Sequence, residues 1–196
     1  MKKLLAILSI AVVILAGCGG SGNFEAQTNW EIQDFTYENH RGEDVSLEDL
    51  KGTVWLSTFI FTNCTTVCPP MTFNLTDIQQ MLEEKGIVDY KIVEFSVDPE
   101  VDTPEVLQDY IANYDVVDES KWELLTGYSQ EHISTFAAES FKTLVKDDPS
   151  TDQVIHGVSF FLVDQNGVVV KSYNGATEVP KEEIVIDIET LIEDGK

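Results

Sequence analysis

Residues 53–70 read Thr-Val-Trp-Leu-Ser-Thr-Phe-Ile-Phe-Thr-Asn-Cys-Thr-Thr-Val-Cys-Pro-Pro. The first nine are apolar, β-branched or aromatic almost throughout, which is the composition of a buried strand. Beyond the stretch, Met71, Leu75, Ile78 and Leu82 recur at helical spacing, so a helix follows. Pro69 and Pro70 suit the first turn of that helix, where a missing N–H costs nothing. Cys64 and Cys68, spaced C-x-x-x-C, therefore sit where a central strand turns into a helix. The helix dipole at that end favours thiolate over thiol and lowers the cysteine pKa. A dithiol in this position is suited to redox exchange or to holding a soft metal ion.

The 196 residues suit one domain with a core large enough to fold alone. A formal charge of −23 excludes nucleic acid as a partner, because its phosphates would repel this surface. Acidic side chains can attract basic proteins or cations, although solvation accounts for most of the 35 Asp and Glu residues. Lys2 and Lys3 precede an apolar run, residues 4–16, that is too short to span a membrane comfortably. The run ends in Leu15-Ala16-Gly17-Cys18, which resembles the lipobox of bacterial lipoproteins. That resemblance makes residues 1–17 a signal peptide and Cys18 the acylated first residue of the mature chain. It also explains the odd third cysteine. Residues 18–29 read as a lipid-anchored tether of small and polar residues, and residues 30–196 as the folded domain. The expected location is the cell membrane, with the domain on its extracytoplasmic side, where dithiols oxidise unless a reductant or metal protects them.

Working outward, a strand is expected over residues 30–37, then a turn at Asn39-His40-Arg41-Gly42 and a short helical turn over 45–51 closed by Gly52. The helix after the cysteines ends near Gly86, and residues 90–97 alternate as a strand. Asp98-Pro99-Glu100 breaks that strand. Thr103-Pro104 caps a helix with Val106, Leu107, Tyr110, Ile111 and Tyr114 on its apolar face. Residues 122–126 form a short strand, Ser129 caps a helix carrying Ile133, Phe136 and Ala137, and residues 147–152 read as a loop. A hairpin follows, 158–163 and 168–173, turning at Asp164-Gln165-Asn166-Gly167. A helix from Pro180 closes the chain. This order of elements, with thiols after the first core strand, is the layout of the α/β thioredoxin-like fold: a central mixed sheet flanked by helices.

On a regular helix, residues four apart hold their Cβ atoms about 5–6 Å apart. A disulfide wants roughly 3.5–4.5 Å, so the Cys64–Cys68 pair needs loop geometry to close. Closing so small a ring stabilises by about 2 kcal/mol, which makes a structural staple the weaker reading against redox or metal chemistry. Two thiolates leave a metal site incomplete. Of the three histidines, His40 lies in a turn and reads as solvated, and His132 lies in the first turn of a helix and reads as surface. His156 stands immediately before Gly157 and the hairpin strand, and in thioredoxin-like folds the loop at that point abuts the redox-active turn. Spacing alone leaves His156 open between ligand and polar surface.

Three blocks resemble the Sco (SenC) family of copper proteins. They are Phe61-Thr62-Asn63-Cys64-Thr65-Thr66-Val67-Cys68-Pro69, Ser96-Val97-Asp98-Pro99-Glu100-Val101-Asp102-Thr103-Pro104, and Ile155-His156-Gly157-Val158-Ser159-Phe160-Phe161-Leu162-Val163-Asp164. They occur in order within a match spanning Phe35 to Leu191. The resemblance implies copper bound by Cys64, Cys68 and His156. It implies delivery of that copper to the binuclear centre of cytochrome c oxidase, or preparation of that centre, with the copper-bearing oxidase subunit as partner. Asn63 and Val101 depart from frequent family residues, and neither is a ligand position. Two thiolates and an imidazole suit Cu(I), and Cu(II) tops the divalent affinity series. Structural zinc wants a fourth protein ligand. Asp98 is the expected carboxylate close to the thiols, or else simply the residue that breaks its strand.

The rival function is a membrane-tethered thiol–disulfide oxidoreductase that keeps the oxidase cysteines reduced, with a thiol reductase as its own partner. The C-x-x-x-C spacing differs from the C-x-x-C of usual exchangers. A peroxidase is disfavoured because Arg41, the sole arginine, is early in the chain. A lipoprotein with a merely structural disulfide leaves His156 unexplained.

Overall fold

The computed structural model describes residues 24–151 and 153–195. Cys18 and the signal peptide expected before it lie outside the described residues. In chain order the elements are β1 (Trp30–Glu31), β2 (Thr36–Asn39), β3 (Asp44–Ser46), α1 (Leu47–Leu50), β4 (Val54–Ile60), α2 (Cys68–Glu84), β5 (Tyr90–Ser96) and α3 (Pro104–Ile111). A single 3₁₀ turn, Glu119–Lys121, leads to β6 (Trp122–Thr126), α4 (Gln130–Ser140), β7 (Val145–Asp147), β8 (Val154–His156), β9 (Ser159–Val163), β10 (Val168–Asn174) and α5 (Lys181–Asp194).

Eight strands form one mixed sheet in the order β1-β10-β9-β4-β5-β6-β2-β3. The centre, β4-β5-β6, is parallel, with Leu56 opposite Ile92 and Ile92 opposite Trp122. Every other pairing is antiparallel, so the sheet is mixed and, with helices packed on it, matches the thioredoxin-like layout expected from the sequence. All seven residues of β4 are buried, as a strand covered on both faces requires. Phe59, Phe95, Phe136, Phe141 and Phe161 interlock on one face, with ring centroids 5.1–6.3 Å apart among the neighbouring pairs. On the other face Met71, Leu75, Ile78 and Leu82 of α2 are wholly buried, and α2 packs beside α5. Here the 3.6-residue period expected from the sequence becomes the helix's inner stripe.

Two readings need correction. Residues 30–37 are not one strand: β1 pairs with β10 and β2 pairs with β3 and β6, at opposite ends of the sheet. The intervening Ile32 and Phe35 are buried in the core, so the chain crosses under the sheet between them. At the loop read over 147–152, residues 148–151 do turn as expected, but Asp147 belongs to a strand, and the turn joins two short strands that the reading lacked, β7 with β8, in register Val145 to His156 and Asp147 to Val154. The turn is held by Asp148, whose Oδ1 accepts the Ser150 N–H at 2.9 Å and the Ser150 hydroxyl at 2.7 Å.

Candidate metal centre

Three elements deliver the site. Cys64 lies in the turn after β4, with its N–H donating to Phe61 O at 3.2 Å, and is 5% exposed. Cys68 is the first residue of α2 and is wholly buried. His156 ends β8. The two Sγ atoms and a ring nitrogen of His156 all lie within 4.8 Å of one another, and both cysteines are free thiols. Among the described residues no other group of three or more His, Cys, Asp or Glu places its ligand atoms together in this way.

The hydrogen bonds orient the set. His156 Nδ1 lies 2.9 Å from Gly157 O, and a carbonyl only accepts, so Nδ1 carries the proton there. Nε2 then turns its lone pair to Cys68 Sγ, 3.5 Å away. The ring also packs edge-on against Phe61, centroids 5.7 Å apart. A Cβ on Gly157 would collide with the Thr143 hydroxyl, so glycine lets the β8 strand and its histidine approach the rest of the domain.

The α2 N-terminus acts on Cys64 rather than on Cys68. The Cys68 N–H, a free donor of the helix's first turn, points at Cys64 Sγ from 3.3 Å. A hydrogen bond from the Cys68 thiol, with further help from backbone N–H groups, pulls the Cys64 pKa down to about 3 against the opposing effect of burial. The same bond, together with burial, pushes Cys68 well above the ordinary thiol range. The pair therefore shares one proton, held by Cys68, with the negative charge on Cys64. Metal binding through both sulfurs would release that proton.

Asp98 is half-buried and opens onto a cavity of about 460 Å³ shared with Asn63, Asp147 and Gln153. Its pKa is raised by burial and by Asp102, Asp147 and Glu100 around it. The carboxylate bonded to the Cys64 turn is instead that of Asp102, which accepts the Thr62 N–H and hydroxyl. Sequence reasoning missed that role, because Asp102 precedes a helix-capping Thr103-Pro104 and nothing in its spacing marks it. His40 also differs from expectation. It is 3% exposed, and its Nδ1 accepts the Leu124 N–H at 3.2 Å, while Nε2 lies 3.4 Å from Glu119. Arg41 beside it caps Trp122 O and pairs with Glu123, so both residues of this turn are structural. His132 is exposed, as read, and meets the Tyr37 hydroxyl at 2.7 Å.

Residues 24–193 match the SCO1/SenC family model. A crystal structure of a SCO1/SenC family lipoprotein from Bacillus anthracis is 45% identical and superposes with a TM-score of 0.80, covering 85% of this chain and 98% of that one. BsSco, described with a disulfide switch and as a member of the Sco family of cytochrome c oxidase assembly proteins, is 47% identical with a TM-score of 0.78, covering 86% and 96%. Bradyrhizobium japonicum ScoI, solved with copper bound, is 26% identical with a TM-score of 0.69, covering 82% and 99%.

Proposed function

The chain belongs to the SCO1/SenC family, and on that premise we propose that it is a copper-binding assembly factor for cytochrome c oxidase. Copper is its cargo, held by Cys64, Cys68 and His156 and passed to, or used to prepare, the binuclear copper centre of the oxidase. The observation that carries this reading is the convergence of two sulfurs and an imidazole nitrogen within 4.8 Å, delivered by three separate elements. Two soft thiolates with one imidazole fit Cu(I), and the same donors bind Cu(II) at the top of the divalent series. Among the described residues this cluster has no fourth protein ligand, which disfavours structural zinc and leaves a position through which a partner can take the ion.

The test is titration of fully reduced protein with Cu(I) against a competing chelator. One ion per chain is expected, and Cys64→Ser or Cys68→Ser each abolishes tight binding. Unchanged stoichiometry and affinity in either variant would refute the assignment.

A second reading has its own support. Cys64 is held as a thiolate beside a protonated Cys68, which is the state that attacks a disulfide. On that reading the protein reduces the oxidase cysteines and is itself recharged by a thiol reductase. The lipid anchor at Cys18 belongs to either reading. It is supported by the Leu15-Ala16-Gly17-Cys18 resemblance and by the lipoprotein description of the Bacillus anthracis relative. Among the described residues no helix is long and apolar enough to cross a membrane.

A further inference from the structure

Asp102 is wholly buried, and its carboxylate gathers donors from the ends of two adjacent central strands. The Thr62 N–H lies 3.3 Å from both carboxylate oxygens, and the Thr62 hydroxyl donates to Oδ1 at 2.5 Å. The hydroxyl of Ser96, the last residue of β5, donates to Oδ2 at 2.6 Å. Asp102 is itself anchored through its own N–H, 2.9 Å from Asp98 O.

Thr62 sits inside the turn that Cys64 N–H closes onto Phe61 O. Fixing Thr62 therefore fixes the backbone from which Cys64 projects. Cys68, by contrast, is the wholly buried first residue of α2, on a backbone that the helix holds. A Cys64–Cys68 bond requires Cys64 Sγ to leave the Cys68 N–H and approach the other sulfur, so the Cys64 turn must do the moving. The two donors of Thr62 resist that movement, while the Ser96 hydroxyl holds the carboxylate in place.

We propose that Asp102 is a positioning residue of this site: its hold on Thr62 keeps Cys64 Sγ in the open, metal-ready arrangement and opposes closure of the Cys64–Cys68 disulfide. Only the metal half of this inference rests on the copper reading above. The redox half stands on the two thiols alone.

The experiment uses the full chain in detergent, as wild type, Thr62→Val, Thr62→Ser and Asp102→Asn. Each is equilibrated in mixtures of reduced and oxidised dithiothreitol. Closure joins the two sulfurs, releases the one proton held by Cys68 and passes two electrons to oxidised dithiothreitol, which takes up that proton and one from solvent to become its dithiol. Thr62→Val keeps the N–H and the shape but loses the hydroxyl donor, and should move the equilibrium about tenfold towards the disulfide. Thr62→Ser, which retains the hydroxyl, should stay at the wild-type value, and Asp102→Asn should shift as Thr62→Val does. Cu(I) competition on the same proteins should show a parallel loss of affinity. Melting temperatures lowered with no change in the dithiol equilibrium would overturn the proposal, since that is what a purely structural bond would give. A wild-type chain that takes up no copper would refute the copper reading and, with the redox shift intact, uphold this one.

Discussion

Glu94 offers a quantitative test of how the core beneath the site is built. It lies on β5, fully buried, with Oε1 accepting the Thr72 hydroxyl at 3.2 Å and Oε2 without a partner among the described residues. Burial raises its pKa from 4.5 to about 8. Between those two values the folded chain binds a proton that the unfolded chain does not, so folding stability must fall as pH rises. The slope is about 1.4 kcal/mol per pH unit, or about 3 kcal/mol accumulated by pH 7. That is a large part of the roughly 5–15 kcal/mol on which a domain of this size stands. Glu94→Gln is neutral at every pH and abolishes this term. Its amide keeps the bond from Thr72 and leaves an N–H₂ where the acid leaves one unpaired oxygen, so the two proteins should be of similar stability near pH 5. Urea unfolding of reduced protein from pH 5 to pH 8 is the assay. The variant's advantage should grow by about 1.4 kcal/mol for each unit. Titrations elsewhere in the molecule cancel in the difference. The Tyr110 hydroxyl, bonded to the same Thr72, is raised and stays protonated throughout. A difference that stays flat across this range would show that Glu94 is solvated or paired in solution.

Three further outcomes follow from the site. His156→Ala should weaken copper binding strongly yet leave Cys64–Cys68 disulfide formation intact. In cells lacking the wild-type gene it should fail to restore oxidase activity, and full rescue at matched expression would favour the thiol-reductase reading. Gly157→Ala should drive the new methyl into the Thr143 hydroxyl and shift His156, lowering copper affinity while both thiols remain titratable by a thiol reagent. Affinity equal to wild type would show that β8 yields without moving its histidine. Cys18→Ala should abolish metabolic labelling by fatty acid, and labelling that persists would exclude Cys18 as the acylated residue.

The β4–α2 unit was legible because each half is written in one unbroken signal. A short apolar run rich in β-branched and aromatic residues reads as a covered strand, and the Met71-Leu75-Ile78-Leu82 period survives because α2 is long enough to show it. The β9–β10 hairpin was legible from its turn, where Asp164 Oδ1 accepts the N–H of Asn166 and of Val168 at 2.9 Å each, and Gly167 takes a φ of +79°. What escaped was short. Strands of two or three residues, such as β1, β7 and β8, cannot display a period of two, and the Asp-Pro-Ser-Thr composition between β7 and β8 describes only the tip. His156 could thus be named from its block, but not the hairpin that carries it. His40 and Asp102 escaped for a different reason. Their burial is decided by Leu124, Glu119, Thr62 and Ser96, partners from elsewhere in the chain, and no local pattern announces such contacts.

X-ray absorption of Cu(I)-loaded protein tests the central claim most directly, because it reads the donor atoms themselves. Two sulfur scatterers and one imidazole nitrogen are expected about a single copper. The imidazole contribution should vanish in His156→Ala, and one sulfur should vanish in Cys64→Ser. A shell without sulfur, or a wild-type spectrum that His156→Ala leaves unchanged, would contradict the assignment of copper to Cys64, Cys68 and His156.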